Sequence, residues 1–238
     1  MFPSNLISRL EKVKNLDISD QAKAVEMQVI LEEFERNLTD DDELKLQNEF
    51  ENRMTDYVKQ NKRKFTTTGI VKIGLDELGI VAVGEIPGQP LNQFALDEYK
   101  GNLRIATTVG DIFGFGFGGT RESENDVYVL NSNLERIGSV QGLGIDERIF
   151  SARFIGDRGY LVTFRQIDPF FVLDLSDPTN PSVEGELKIP GFSSYLHQIE
   201  ENRILGVGQE NRRVKLSVFD VSDPKNPTES AKYQLDEW

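Results

Sequence analysis

The fold class this sequence predicts is mainly β: a partial β-propeller of four-stranded antiparallel blades, preceded by an α-helical hairpin. Two observations carry that reading. The first is a repeat. Residues 168–197, DPFFVLDLSDPTNPSVEGELKIPGFSSYLH, read as strand, tight turn, strand, loop and the start of a third strand. A diverged copy, LSVFDVSDPKNP, follows at 216–227, and a looser one, VYVLNSNLERIGSV, stands at 127–140. The aligned positions Asn131, Asp174 and Asp220 lie 43 and 46 residues apart. That spacing suits one four-stranded blade better than any α/β unit. The second observation is a change of grammar near residue 65, from helical spacing to strand alternation.

Taken in order, residues 1–65 form the helical part, read as an insertion within a blade. Met27, Leu31, Phe34 and Leu38 recur at helical spacing, as do Phe50, Met54 and Tyr57. Ser19 with Asp20 suits the start of the first long helix, and Thr39 with Asp40, Asp41 and Asp42 the start of the second. The short connection near Asp40 makes them an antiparallel hairpin. Their apolar stripe is read as packing inside the molecule rather than as a partner-binding face. The cations Lys59, Lys62, Arg63 and Lys64 sit where a helix C-terminus attracts positive charge, and the expectation is a solvated helix end.

Residues 66–238 carry the blades, about three and a half of them. GIVKIGLDELGIVAVGEI at 69–86 reads as the outer strand pair, C and D, of a first blade. Residues 91–108 with 126–140 make the next blade, 147–164 with 170–188 another, and 193–208 with 214–235 the last. Inner hairpins turn at 97–102, 156–159 and 200–203, where the residues favour tight turns. Three and a half blades fall short of the roughly four to eight of a closed ring. Either another chain supplies the absent strands, or this sequence is a segment of a longer protein. The second reading is preferred. An open strand edge near residues 70–73 would invite self-association.

Bulk properties exclude some partners. The net charge is −13, with −3 from residues 1–64 and −10 from the rest, so a phosphate backbone would meet repulsion over most of the surface. Nucleic acid is not expected as a partner. Without cysteine, neither a disulfide framework nor a thiolate metal site can form. No apolar run reaches the roughly 18 residues of a membrane-spanning helix. The N-terminal stretch MFPSNLISRLEKVK does not read as a signal peptide.

The long repeat motif, together with RIFSARFIGDRGYLVTFRQ and LNQFALDEYKGNLRIATT, resembles archaeal and bacterial secreted proteins with a C-terminal β-propeller distantly related to WD-repeats. The likeness covers nearly the whole chain and extends to the helical insertion. It implies a parent protein that is exported or anchored at the surface. It implies no catalytic activity that can be assigned to particular residues. The glycine-rich GFGFGG segment is not a hallmark of that family.

Propeller topology gathers the B–C and D–A connections on one rim, where loops carry most binding functions. The B–C connections are the helical insertion, 109–125, 166–169 and 209–213; the D–A connections include 87–90, 141–147 and 190–192. The candidate binding residues on this rim are Phe113, Phe115, Phe117, Arg165, Asp168 and Arg212. The glycines among the three phenylalanines do not make a nucleotide cradle, because a strand rather than a helix follows. An aromatic loop that touches a partner or the helices is one reading of that stretch, and plain disorder another. Arg165 and Asp168 flank one B–C connection as a potential ion pair.

Asp174, Ser176 and Asp177 recur as Asp220, Ser222 and Asp223. A calcium site wants about six to eight oxygens, usually from a longer acidic loop. Ser-Asp-Pro is foremost a turn former, so these aspartates are assigned to turns. His197 is the only histidine, which leaves no histidine-based metal cluster. Its place on an innermost strand suggests a hydrogen-bonded filler.

No metal, cofactor or catalytic residue is therefore expected. The leading expectation is a non-enzymatic scaffold that binds a protein or cell-envelope component through its rim. The alternative is a propeller-type hydrolase or lyase with a polar pocket at the channel mouth, and a structural spacer is a third possibility.

Overall fold

The computed structural model describes residues 3–36, 38–76, 78–110, 123–164 and 168–235. The chain divides into two compact units, Met1–Tyr57 and Val58–Trp238.

The first unit is helical. It contains α1 (Ser4–Lys14), α2 (Asp20–Glu35) and most of α3 (Asp40–Phe65), whose last turns belong to the second unit. Both anticipated caps form: Ser19 Oγ accepts from the Ala22 amide at 3.3 Å, and Thr39 Oγ1 from that of Asp42 at 3.3 Å. Each satisfies an amide left unpaired by the first helical turn. The helix α1 adds to the two helices expected. Its Leu6, Leu10 and Val13 lie at one-turn intervals and pack with Met27, Ile30, Leu31 and Phe34 of α2. The apolar stripe of α2 is thus used inside the molecule.

Among its described residues the second unit holds fourteen strands in four antiparallel sheets. The first sheet has two strands, β1 (Thr67–Ile73) and β2 (Ile80–Pro87). The second is the meander β3 (Leu96–Tyr99), β4 (Asn102–Val109), β5 (Glu124–Leu130) and β6 (Arg136–Leu143). The third is β7 (Arg148–Ile155), β8 (Arg158–Phe164), β9 (Asp168–Asp174) and β10 (Ser182–Ile189). The fourth is β11 (Phe192–Glu200), β12 (Arg203–Glu210), β13 (Arg213–Asp220) and β14 (Thr228–Gln234). These are the three complete blades and one outer pair that the repeat predicts, with the inner hairpins turning where expected.

Consecutive blades stack face to face, and each junction has its own apolar core. Ile70, Ala82 and Ile86 of the first blade meet Ile105, Tyr128 and Leu130 of the second. Val127 and Leu143 meet Ile149, Phe154 and Phe171 at the next junction. Phe170 and Val172 meet Leu196, Ile204 and Phe219 at the last, where Phe170 stacks on Phe219 with centroids 4.3 Å apart. Burial follows from this order. Every residue of β5 is buried because both faces of its sheet are covered, whereas β13 alternates.

A recurrent contact fixes the stacking. Gly138 pairs with Val129, Gly185 with Val172, and Ala231 with Val218, and each of those valines stands two residues before the turn position Asn131, Asp174 or Asp220. A Cβ on Gly138 would lie 2.3 Å from the Pro178 carbonyl oxygen, and one on Gly185 2.1 Å from that of Pro224. The outer turn of each blade therefore seats on the glycine of the blade before it. Those turns are built as the sequence suggests. Asn131 Oδ1 accepts from the Asn133 amide, Asp174 Oδ1 from Ser176 and Asp220 Oδ1 from Ser222, each at 2.9 Å. The hydrogen bonds hold the carboxyl groups of Asp174 and Asp220 below their ordinary value, with Ser176 and Ser222 the leading causes.

Candidate binding rim

The D–A connections and the ends of the B strands converge on one edge of the second unit. At the first junction Gln89 and Thr108 exchange both backbone hydrogen bonds at 3.0 Å, while Thr107 Oγ1 donates to the Pro87 carbonyl at 2.9 Å. At the second, buried Asn125 donates through Nδ2 to the carbonyls of Leu143 at 3.0 Å and Glu147 at 3.2 Å. At the third, Lys215 Nζ donates to the Pro190 carbonyl at 2.7 Å. In each case a buried polar side chain from a B or C strand fastens the connection, or the strand end that leads into it, by a hydrogen bond to a backbone carbonyl.

Lys215 is the least expected of these fasteners. It is 2% exposed, and its ammonium lies 3.1 Å from Glu229 Oε1 and 3.6 Å from Glu210 Oε2. Glu210 also pairs with Lys232 at 3.1 Å, so its charge is consumed within the blade. A lysine shut away from water requires such partners. The sequence signal was present: in RVKLSVFD, Lys215 shares strand parity with Ser217 and buried Phe219.

Among the described residues, two clefts open along this rim. One, of about 330 Å³, is lined by Gln89, Pro90, Leu91, Thr108 and Arg148 among others. The larger, of about 650 Å³, lies between the connection at 190–192 and the β12–β13 hairpin, with Phe164 on its wall. Phe150, Phe164 and Phe192 cluster there, their ring centroids 4.7 to 5.4 Å apart, and all three remain half-buried. Arg212 stands at the tip of the hairpin, on the same cleft. Asn211 and Arg212 have φ of 53° and 65°, which makes a two-residue turn with both residues left-handed.

A second group of charges pins the end of α3 to β5. Arg63 donates from Nε and Nη2 to the two oxygens of Asp126 at 2.8 and 2.9 Å. Tyr128 Oη and the Gly142 amide also donate to Asp126, at 2.6 and 3.0 Å. Glu124 lies 2.5 Å from Arg63 and 3.2 Å from Lys62. The hydrogen bond with Asp126 raises the Arg63 guanidinium above its ordinary pKa, and burial pushes the Tyr128 hydroxyl up. These two cations are thus not the solvated helix end that the sequence suggested. They meet a buried carboxylate pair supplied more than 60 residues later in the chain.

The remaining candidates separate by position. Phe113, Phe115, Phe117 and Arg165 lie outside the described residues. Asp168 begins β9, where its backbone is in register with Ile189. Arg212 is the one candidate that can be followed to its surroundings, and it lines a cleft. His197, on the innermost strand β11, has its Nδ1 3.2 Å from the Tyr195 hydroxyl. Among the described residues no group of three or more His, Asp or Glu side chains could hold a metal ion.

Comparison with known proteins agrees with this architecture. The profile of the family described as "Beta propeller domain" matches residues 1–238. The chain is 48% identical over 238 residues to an "uncharacterized protein" of Archaeoglobus fulgidus, aligning along its own full length and 36% of that protein. It is 41% identical over 243 residues to an "uncharacterized protein" of Methanocaldococcus jannaschii, of which it covers 38%. The chain spans little more than a third of the length of these relatives. Sheets, junctions and family match agree, and the chain belongs to the Beta propeller domain family.

Proposed function

We propose that this chain is a non-enzymatic scaffold that binds another macromolecule through the rim formed by its D–A and B–C connections. The observation that carries the reading is the rim itself. Buried Thr107, Asn125 and Lys215 hold three successive connections in place, and two clefts lie open between them. Rigidly held loops around an open cleft cost little order on binding. The cysteine-free chain allows a direct test: a photo-crosslinking group placed by single-cysteine labelling at Leu91 on the rim, or at Asn133 in an outer turn. Incubated with extract of the native cells, the rim position should capture a defined protein or envelope component and the outer turn should not. Equal capture at both positions would refute the reading.

The same reading assigns the scaffold to an exported or surface-anchored protein, as the family resemblance implies. Fractionation that recovers the full-length native protein only from the cytosol would remove that part.

Self-association is a further property the surface supports. Val71, Val81 and Val83, which are 53%, 61% and 65% exposed, alternate onto one face of the β1–β2 sheet. Sedimentation velocity should show concentration-dependent association that Val83→Lys reduces. A monomer at every concentration would contradict it.

A further inference from the structure

We infer that the larger rim cleft is a peptide site, and that it takes an extended acidic segment carrying a carboxylate beside an aromatic or large aliphatic side chain. The inference rests on the rim-binding reading and names the chemistry of what binds. Three independent features of the cleft point to it.

The first is the aromatic floor. Phe150, Phe164 and Phe192 pack on one another at 4.7 to 5.4 Å, yet each stays half-buried. In the core of the last junction the stacked rings are sealed, with Phe170 and Phe219 each at 1% exposure. Phe164 and Phe192, which line the cleft of about 650 Å³ with Phe150 packed against both, make an apolar subsite of side-chain size.

The second is Arg212. A two-residue hairpin turn with both residues left-handed favours glycine at its second position, because a Cβ there is strained. This chain places arginine there, at φ 65°. Strain of this kind is enriched at ligand-binding sites. The side chain is exposed and has no ion-pair or hydrogen-bond partner among the described residues. A free guanidinium at a cleft mouth is matched by a carboxylate, which it can grip with two parallel hydrogen bonds.

The third is the charge balance. Glu210, the carboxylate that lines the cleft, is already paired with Lys215 and Lys232 and so does not occupy Arg212. Lys188 also lines the cleft but pairs with Glu186 at 3.1 Å, so Arg212 supplies the free positive charge of the lip. A chain of net charge −13 therefore presents a locally cationic lip over an aromatic floor. That complement selects an acidic, apolar segment and disfavours a basic one.

The site is tested with three short peptides of otherwise neutral composition, read by ligand-observed NMR and calorimetry on the whole chain. One contains aspartate next to phenylalanine, one asparagine next to phenylalanine, and one aspartate next to alanine. The first should bind, and the other two should bind about tenfold more weakly, the loss of one charged or one aromatic contact. Arg212→Gly should weaken the first peptide about tenfold and leave the asparagine peptide unchanged. Because glycine suits the turn, the same substitution should raise the melting temperature, so lost binding cannot be put down to lost folding.

Equal binding of all three peptides, no binding at millimolar concentration, or an unaltered affinity in Arg212→Gly would each overturn the inference. If the peptides fail while rim-specific crosslinking succeeds, the peptide chemistry is wrong and the rim reading survives. Crosslinking that does not distinguish the rim removes both.

Discussion

Replacing Gly185 by alanine tests the blade-stacking contact with the smallest possible change. The added methyl would lie 2.1 Å from the Pro224 carbonyl oxygen, 2.9 Å from Pro227 Cδ and 3.0 Å from the Lys225 carbonyl carbon. None of these atoms can rotate away. They belong to a turn tied by the Ser222 amide to Asp220 at 2.9 Å and the Lys225 amide to Asp223 at 3.2 Å. Relief requires the third and fourth blades to part by about an ångström, which would forfeit a quarter to a half of each contact well across the junction. Overpacking of this kind costs about 1–3 kcal/mol, and alanine recovers about 0.5 kcal/mol by restricting the unfolded chain.

The net expectation is a loss of about 1.5 kcal/mol, or about 5 °C in melting temperature for a unit of this size. Urea unfolding followed by circular dichroism measures it. Ala231 supplies the control, because it holds the equivalent register position in the last blade and is exposed. Ala231→Gly should therefore cost only about 0.5 kcal/mol. A Gly185→Ala protein as stable as the parent would refute the reasoning.

Two further outcomes follow from the charges. Arg63→Ala would leave fully buried Asp126 without its bidentate partner, and should destabilise the second unit by about 3 kcal/mol in the same assay. The turn aspartates Asp174, Asp177, Asp220 and Asp223 titrate below their ordinary value in the folded chain, through hydrogen bonds led by Ser176, Thr179, Ser222 and Asn226. Their contribution is present above about pH 4, the unfolded value, and is lost as pH falls through the lower folded values. Asp220→Asn should keep the turn, as Asn131 does in the second blade, and flatten the acid limb of a stability-against-pH curve.

Most of the fold was legible because it is local and periodic. Alternation located the strands, and the spacing of Asn131, Asp174 and Asp220 counted the blades. Ser19 and Thr39 announced their helices by capping chemistry, which acts within three residues. What escaped was set by partners distant in sequence. Alternation says which residues share a face but not what covers that face. The seat of the Pro224 turn on Gly185 therefore could not be read, nor the ion pairs that bring Lys62 and Arg63 to Glu124 and Asp126. The helix α1 carries the right spacing at Leu6, Leu10 and Val13, but so short a segment gains its stability mainly from packing on α2. At the rim, Arg212 was found through topology. Its aromatic neighbours Phe150, Phe164 and Phe192 come from three strands and meet only once the blades stack.

The radial stacking of blades is the claim on which the rim depends, and amide hydrogen exchange resolved by residue tests it most directly. Protection should be greatest in β5 and β8, whose sheets are covered on both faces, lower in β12 and β13, and least in β1 and β2, which present one open face. Exchange in β1 and β2 as slow as that in β5 would contradict the stacking order, and with it the convergence of the connections on one rim.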